Sequence, residues 1–402
     1  MVLFINSIER VKAALNFKGP DRVPIWRAFS SREGDVFTMF RMPSKHWQPG
    51  HYENEKGLFP YAGDDSIIKA KLWTWDRPEW AQSPEFDKWL EIIPREEIDE
   101  WGTIWKRSGV DTMGHPSRST LPDYKKLDDY IERYTPYYED KDSYSIFIKL
   151  KSTMGQEKYR MCSLNLGPFQ MAANMRGFSE LLIDHKRNTQ NLKHLLEYIT
   201  NQFIIFEKMW VKNNAEPHGF ILYDDLGEQS GPFFSPKMFK AFWEPVYRPL
   251  FETAHDLGCD FHLHCCGKIE RIIPLLIEWG LDSLELDSPR MTGYPDLNQF
   301  RGKIMMWGCV NIQSIYTLNT PEEVEREVWH MVRNLGTSRG GFGAYFYPQE
   351  NHIKVSKENA KAFTTGLEKY GEYSKIPEHW WTYQVPTDWK DNEVPSLPPM
   401  ID

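Results

Sequence analysis

From residue 160 onward, short apolar segments alternate with helical segments, and this alternation constrains the fold more strongly than any other feature of the chain. Six segments have the pattern of buried strands: "RMCSLNLGPF", "GFILYDDLG", "CDFHLHCCG", "LDSLELD", "KIMMWGCVN" and "GGFGAYFYP". Segments with helical periodicity, such as "SPKMFKAFWEPVYRPLFETAHDLG", separate them. Nearly continuous apolar strands that alternate with helices are typical of a parallel sheet that is covered on both faces.

The number of strands favours a closed barrel over an open, doubly wound sheet. "VPIW" near the N-terminus supplies a further strand, and we expect one more before residue 160. Eight strands in a chain of 402 residues agree with an α/β fold of the (β/α)8 TIM barrel type, which accommodates long insertions. We therefore predict one barrel domain over residues 1–402, with an aromatic-rich insertion or cap at 28–135 and a Pro-rich C-terminal tail at 376–402.

Charge and cysteine usage exclude several classes of protein. The formal net charge is −9 and no basic run stands out, which argues against nucleic-acid binding. No segment approaches the roughly 20 apolar residues that span a bilayer, and the N-terminus lacks a cleavage signal. The cysteines are odd in number and irregularly spaced, unlike those of a secreted disulfide framework; they are Cys162, Cys259, Cys265, Cys266 and Cys309. We expect a cytoplasmic protein that binds neither nucleic acid nor a membrane.

The segment "FHLHCCGKI" holds two histidines and two adjacent cysteines and is the clearest candidate for chemistry. Side chains alternate across a strand, so His262, His264 and Cys266 are expected on one face and Cys265 on the other. Zinc accepts His nitrogen and Cys thiolate, and a catalytic zinc site uses three protein ligands and one open position. We predict zinc on His264 and Cys266; a reduced, buried strand without metal is the alternative.

Other candidate residues also follow apolar strands, where the active sites of barrels form. Asp224 and Asp225 end "GFILYDD", and one carboxylate is expected to orient the substrate or a metal ligand; a turn or helix cap is the alternative. Trp26 ends the first strand and either lines a pocket or packs in the core. Aromatic residues make up 14% of the chain, which indicates either a large aromatic core or an aromatic wall for an apolar ligand.

The motifs resemble those of the uroporphyrinogen decarboxylase superfamily and, within it, the zinc-dependent corrinoid methyltransferases. The resemblance covers most of the chain, from "ERVKAALNFKGPDRVPIW" to "FHLHCCGKIERIIPLLIEWGLDSL". In those methyltransferases the pattern H-x-C-G provides two zinc ligands, and here it falls on His264, Cys266 and Gly267. "DEWGTIW" and "TMGHPSRSTLPDYKKLDDY" are similar to the branch that demethylates methoxylated aromatics. The resemblance also favours Asp224 over Asp225 as a catalytic residue, which leaves Asp225 and Trp26 as substrate-binding candidates.

The chain departs from the family pattern in two places. Decarboxylases carry an Arg-Gln-Ala-Gly-Arg run after the first strand, whereas this chain has "WRAFSSREGD". Several methyltransferases of the family take a third zinc ligand, often Cys, from the loop after the last strand, and "AYFYPQENHIKV" has none. Cys309 is the preferred replacement because strand alternation directs it inward, and Glu350 and His352 are its rivals.

The resemblance implies a methyltransferase that uses Zn²⁺ and acts together with a corrinoid protein that carries cobalamin. The expected reaction moves the methyl group of an aromatic methyl ether to cob(I)alamin, which is an O-demethylation. Two other activities stay open: a decarboxylase similar to uroporphyrinogen decarboxylase, and a methyltransferase that transfers methyl from methylcobalamin to a thiol. A binding barrel without catalytic activity is the last alternative.

Overall fold

The computed structural model of the chain describes residues 5–27, 33–44, 46, 58–61, 84, 88, 91–109, 114–348, 350, 353–383 and 392–397. The chain divides into two compact units. The first, the barrel unit, comprises Met1–Met39, Lys151–Ser163 and Pro217–Asp402. The second comprises Phe40–Leu150 and Leu164–Glu216. The boundaries predicted for the insertion, 28–135, and for the C-terminal tail, 376–402, stay predictions.

Eight parallel strands form one sheet, and the order of the strands follows the chain. The strands are β1 Ile25–Arg27, β2 Val36–Met39, β3 Tyr159–Leu166, β4 Gly219–Tyr223, β5 Asp260–His264, β6 Ser283–Leu286, β7 Met305–Gly308 and β8 Phe342–Phe346. Hydrogen-bonded neighbours run in the order β1-β8-β7-β6-β5-β4-β3-β2. The strand expected before residue 160 is β2, which lies inside the range 28–135.

The two end strands of this order lie beside each other, so the sheet is nearly closed into a barrel. Cα atoms of β1 and β2 approach within 8 Å. The backbone N–H of Asp35, just before β2, donates a hydrogen bond of 2.7 Å to the carbonyl of Ile25 in β1. The predicted α/β fold of the (β/α)8 type is confirmed.

Helices separate the strands, as the sequence pattern predicts. They are α1 Ser7–Leu15, α2 Leu127–Tyr134, α3 Asp142–Leu150, α4 Pro168–Arg176, α5 Phe178–Arg187, α6 Thr189–Lys212, α7 Pro236–Asp256, α8 Ile273–Trp279, α9 Pro289–Thr292, α10 Tyr294–Asn298, α11 Ile315–Leu318, α12 Pro321–Leu335 and α13 Lys357–Tyr370. Local signals fix their starts: Ser235 caps α7, and Thr320 with Glu323 forms a capping box on α12. None of the helices in the described ranges is long and apolar enough to span a membrane.

Aromatic rings fill the interior of the barrel near β1, β7 and β8. The ring centroid of Trp26 lies 5.6 Å from that of Trp307 and 4.8 Å from that of Tyr345. Gly343 pairs with Trp307 across β7 and β8, and a Cβ at this glycine would come within 2.3 Å of the indole. Glycine is therefore required opposite Trp307, because the large ring occupies the space of a side chain.

The second unit contains a smaller sheet with a buried charge network. Its strands are Phe59–Pro60, Arg95–Ile98, Ile104–Arg107 and His115–Arg118. Glu97 accepts hydrogen bonds from Arg95 at 2.6 Å and from Arg107 at 3.0 Å, and all three residues are buried. Such a network satisfies charges that are too costly to bury alone. The Trp-rich segment "KLWTWDRPEW" lies outside the described residues.

The described part of the C-terminal tail, residues 392–397, packs in the barrel unit against α9 and α12. The guanidinium of Arg290 donates to the carbonyl of Glu393 at 2.9 Å, and Nε2 of His330 lies 3.0 Å from the carbonyl of Pro395. Val394 is buried between these two contacts. Side chains of the barrel unit therefore hold this segment through its backbone.

Candidate metal centre

The candidate centre lies at the carboxyl end of β5, where the chain turns directly after His264. Cys266 follows in this turn, and Gly267 has a φ of +89°. A Cβ at Gly267 would lie 2.4 Å from the backbone of Gly227. The H-x-C-G pattern therefore has a structural reason for its glycine: the turn that presents Cys266 needs a left-handed backbone and close approach to a neighbouring loop.

Glu285 on β6 orients the imidazole of His264. The two residues pair directly across β5 and β6. The carboxylate of Glu285 is fully buried and hydrogen-bonds Nδ1 of His264. A carboxylate at Nδ1 fixes the tautomer with the proton on that nitrogen, so Nε2 keeps its lone pair for a metal.

Two other donor atoms lie next to Nε2 of His264. The sulfur of Cys266 is 3.4 Å away, and Oδ1 of Asp225 is 3.7 Å away. The donor atoms of His264, Cys266 and Asp225 all lie within 4.8 Å of one another. Zn–N, Zn–O and Zn–S bonds at tetrahedral angles place donors about 3.4–3.6 Å apart. The two separations from Nε2, 3.4 Å and 3.7 Å, agree with this spacing, and the donor types are those that zinc accepts.

A second group of possible ligands shares His264 with the first. It consists of His264, Glu285 and Asp287. Because Nδ1 and the Glu285 carboxylate are in hydrogen-bonding contact, no space is left for an ion between them. Oδ2 of Asp287 lies 3.5 Å from the sulfur of Cys266, close to the Nε2 side. The metal position is therefore on the Nε2 side, and Glu285 orients the imidazole through its hydrogen bond to Nδ1.

The low-dielectric surroundings change the ionisation of the centre. Burial raises the pKa of the Cys266 thiol to about 12, although His264 beside it acts in the opposite direction. Burial also raises the pKa of Glu285 to about 7. Burial lowers the pKa of His264, but the charges of Glu285 and Asp287 and the hydrogen bonds to Glu285 and Cys266 together raise it above its ordinary value. A bound metal ion would reverse this preference at Cys266, because a coordinated thiol is deprotonated.

The two aspartates after β4 occupy different environments. Asp224 is fully buried, and its Oδ2 accepts a hydrogen bond of 2.6 Å from the hydroxyl of Tyr247. The side chain of Asp225 is 38% exposed and belongs to the ligand cluster. The catalytic role of Asp224 and the substrate-binding role of Asp225 stay predictions. The geometry brings Asp225, rather than Asp224, to the donors of His264 and Cys266.

The remaining predicted site residues contact partners other than His264 and Cys266. Trp26 is fully buried in the barrel, and its indole N–H donates to the hydroxyl of Thr38 at 2.9 Å. Cys309 is buried directly after β7 and, among the described residues, belongs to neither ligand group. Glu350 accepts a hydrogen bond from the hydroxyl of Tyr316. His352 lies outside the described residues, and the identity of the third ligand stays a prediction.

The neighbours of the two predicted ligands have other partners. Cys265 is fully buried, and its sulfur accepts a hydrogen bond of 3.2 Å from the backbone N–H of Leu226. His262 is held between the hydroxyl groups of Ser283 at 2.5 Å and Tyr159 at 2.8 Å. Burial lowers the pKa of His262 to about 4. Sequence reasoning overlooked Glu285 and Asp287, for which the only local signal is "ELD" at the end of the next strand.

Fold and centre together define a (β/α)8 barrel with a cluster of nitrogen, sulfur and oxygen donors at the carboxyl ends of its strands. The sequence profile of the family described as Uroporphyrinogen decarboxylase (URO-D) matches residues 128–345, which is more than half of the chain. The chain belongs to this family.

Comparison with other proteins adds information on the fold. The chain is similar to the solved structure of a methyltransferase from Methanosarcina mazei, with a TM-score of 0.57 and 14% identity. The match covers 91% of this chain and 99% of that one. At this identity the likeness shows a shared fold. No curated protein matches the chain by sequence.

Proposed function

We propose that this protein is a zinc-dependent methyltransferase that moves the methyl group of a methoxylated aromatic compound to the cob(I)alamin of a separate corrinoid protein. The observation that carries the proposal is the pair formed by Nε2 of His264 and the sulfur of Cys266, 3.4 Å apart at the end of β5. Membership of the URO-D family and the fold shared with a methyltransferase support the reaction class. The resemblance of the N-terminal motifs to the O-demethylating branch supports the substrate class.

Some side chains of the centre orient the metal ligands, and others leave the metal position accessible to the substrate. Zinc, when bound, withdraws charge from the ether oxygen and makes the phenolate a better leaving group. Glu285 holds Nδ1 of His264, which directs Nε2 toward the metal position. Cys266 and Asp225 are partly exposed, so a substrate can reach the cluster from solvent.

Aromatic side chains beside the cluster suit an aromatic ring. The ring of Tyr223 lies 5.3 Å from that of His264, centroid to centroid. Tyr347 is partly exposed, and the charges of Asp287, Cys266 and His264 act on its hydroxyl group. Flat aromatic side chains provide a large apolar contact area for a planar ligand. These contacts favour an aryl ether over a small donor such as methanol.

The proposal includes the compartment in which the protein works. A cysteine can bind zinc only in its reduced form, and the cysteines of the chain are free thiols. A reducing cytoplasm, where a corrinoid protein can be kept in the cob(I)alamin state, meets both needs.

A decarboxylase of the URO-D type is the main competing activity. Such an enzyme needs arginines to hold the carboxylates of its substrate. Arg27 lies where the decarboxylase arginine run begins, but its guanidinium carbon is 3.6 Å from the ring centroid of Phe346 and its Nε is 3.5 Å from Glu33. The guanidinium is therefore already engaged, which favours methyl transfer.

The proposal is tested by incubating the zinc-loaded protein with reduced cobalamin and a panel of methyl donors. The panel contains methoxyarenes, methanol, methylamines and methylated thiols. We expect the absorption of cob(I)alamin to be replaced by that of methylcobalamin with methoxyarenes only. Methylation from another donor would assign the protein to a different branch. Demethylation of methylcobalamin by an added thiol, or decarboxylation of a porphyrinogen, would refute the proposal.

A further inference from the structure

We infer that the third zinc ligand of this protein is the carboxylate of Asp225, so that the metal is held by one imidazole nitrogen, one thiolate and one carboxylate oxygen. The inference rests on the proposed function, because it assigns a ligand of the zinc that the proposal requires. It differs from the sequence prediction, which favours Cys309 and therefore two thiolates.

The backbone of Cys266 holds Asp225 in position. Asp225 follows β4, which pairs with β5 along its whole length. Its Oδ1 accepts a hydrogen bond of 2.9 Å from the N–H of Cys266 and lies 3.7 Å from Nε2 of His264. The residue that supplies the thiolate therefore also orients the carboxylate. Outer contacts of this kind fix the direction of a metal ligand before the metal binds.

Cys309 is less well placed to act as a ligand. Its side chain is buried after β7, and its sulfur faces the backbone N–H of Tyr347. Within the described residues, the ligand group that contains both His264 and Cys266 is completed by Asp225, whereas Asp287 groups with His264 and Glu285 and lies 3.5 Å from the Cys266 sulfur. Coordination by Cys309 would need a shift of this buried side chain, whereas Asp225 is already in place.

The donor set has a consequence for the substrate class. Thiolates are soft donors and transfer more charge to a metal than carboxylates do. A zinc ion with a single thiolate is therefore a stronger Lewis acid than one with two. A stronger Lewis acid suits an ether oxygen that must leave as phenolate, whereas a methyl-accepting thiol needs to keep its nucleophilic charge. Asp225 therefore favours a methyl donor that binds through oxygen.

Substitution of zinc by Co(II) counts the thiolate ligands directly, because each sulfur–cobalt bond adds charge-transfer absorption. We expect Cys309→Ser to keep the full intensity of this absorption and Cys266→Ser to abolish it. A loss of half of the intensity in Cys309→Ser would overturn the assignment. If the unmodified protein binds no Co(II) or Zn(II), the proposed function fails as a whole. Metal bound through Cys309 would overturn the ligand assignment alone.

Two carboxylates of the centre provide a matched comparison. Asp225→Asn should raise the Kd for Co(II) by about 100-fold or more, because it weakens a direct ligand. Asp287→Asn removes the charge of a carboxylate that lies 3.5 Å from the Cys266 sulfur, and we expect a smaller increase in the Kd, of roughly 10-fold. The opposite ranking would contradict the assignment.

The variant Asp225→Cys tests the consequence for the substrate. We expect it to retain the metal, to add a second increment of charge-transfer absorption and to demethylate the methoxyarene at least about 10-fold more slowly. Metal-loaded Asp225→Cys that turns over as fast as the unmodified protein would refute the link between the carboxylate ligand and an oxygen-bound methyl donor.

Discussion

Glu207 provides a test of how burial determines stability in the second unit. It lies in helix α6, both of its carboxyl oxygens are buried, and neither has a hydrogen-bond partner in the described part of the chain. Burial raises the pKa of Glu207 well above its ordinary value of 4.5, and the charge of Lys208 compensates only in part. Methionine has a similar length and helix propensity and carries no strongly polar atoms. We predict that Glu207→Met stabilises the protein.

The expected gain in the free energy of unfolding depends on the two unpaired oxygens of Glu207 and on the pH. Each buried polar atom without a partner costs about 1–3 kcal/mol, so for the two oxygens we expect a gain of about 2–6 kcal/mol at pH 8. The folded-state pKa is raised, so the folded protein retains a proton that the unfolded chain releases. Stability is therefore lost as the pH rises from 4.5 through the folded pKa, by about 1.4 kcal/mol for each pH unit in that interval. The gain from Glu207→Met should be smaller at pH 5 than at pH 8.

Urea unfolding of the unmodified protein and two variants at pH 5 and pH 8 measures this effect. Glu197→Met is the control, because Glu197 lies on the same helix but is exposed. We expect the control to change the unfolding free energy by less than about 0.5 kcal/mol. The reasoning is refuted if Glu207→Met gives no gain at pH 8, or if its gain at pH 5 is as large.

Three further predictions concern the metal centre and its supports. Purified protein should contain about one zinc per chain. Cys266→Ser should lose most of this zinc and Cys265→Ser should keep it. Equal zinc losses in the two variants, measured by metal analysis, would contradict the assignment of Cys266 rather than Cys265 as the ligand. Gly267→Ala should destabilise the protein by more than about 1 kcal/mol, because alanine is strained at a φ of +89°; an unchanged midpoint of thermal unfolding would contradict this. Tyr247→Phe should cost about 1.5–3 kcal/mol, because it removes a buried hydrogen bond to the carboxylate of Asp224, and it should leave the zinc content unchanged if Asp224 is not a ligand.

The sequence by itself determines the barrel, because the signals for it are local. Apolar runs such as "GFILY" and "FHLHC" need burial on both faces, and capping residues such as Ser235 and Thr320 fix where helices start. The pairing of His264 with Cys266 is also local, since a single residue of chain separates them. Their donor atoms lie 3.4 Å apart, as the short spacing predicts.

Tertiary structure decides which residues complete the centre. Glu285 reaches His264 because β5 and β6 pair in a register that sets these residues opposite each other. Asp225 reaches Cys266 because the loop after β4 lies beside the turn after β5. Strand register and loop direction depend on packing around the whole barrel, so the local pattern at "YDD" could not separate Asp224 from Asp225. A shift of one residue at a strand end changes the direction of a side chain, and only the assembled sheet fixes that direction.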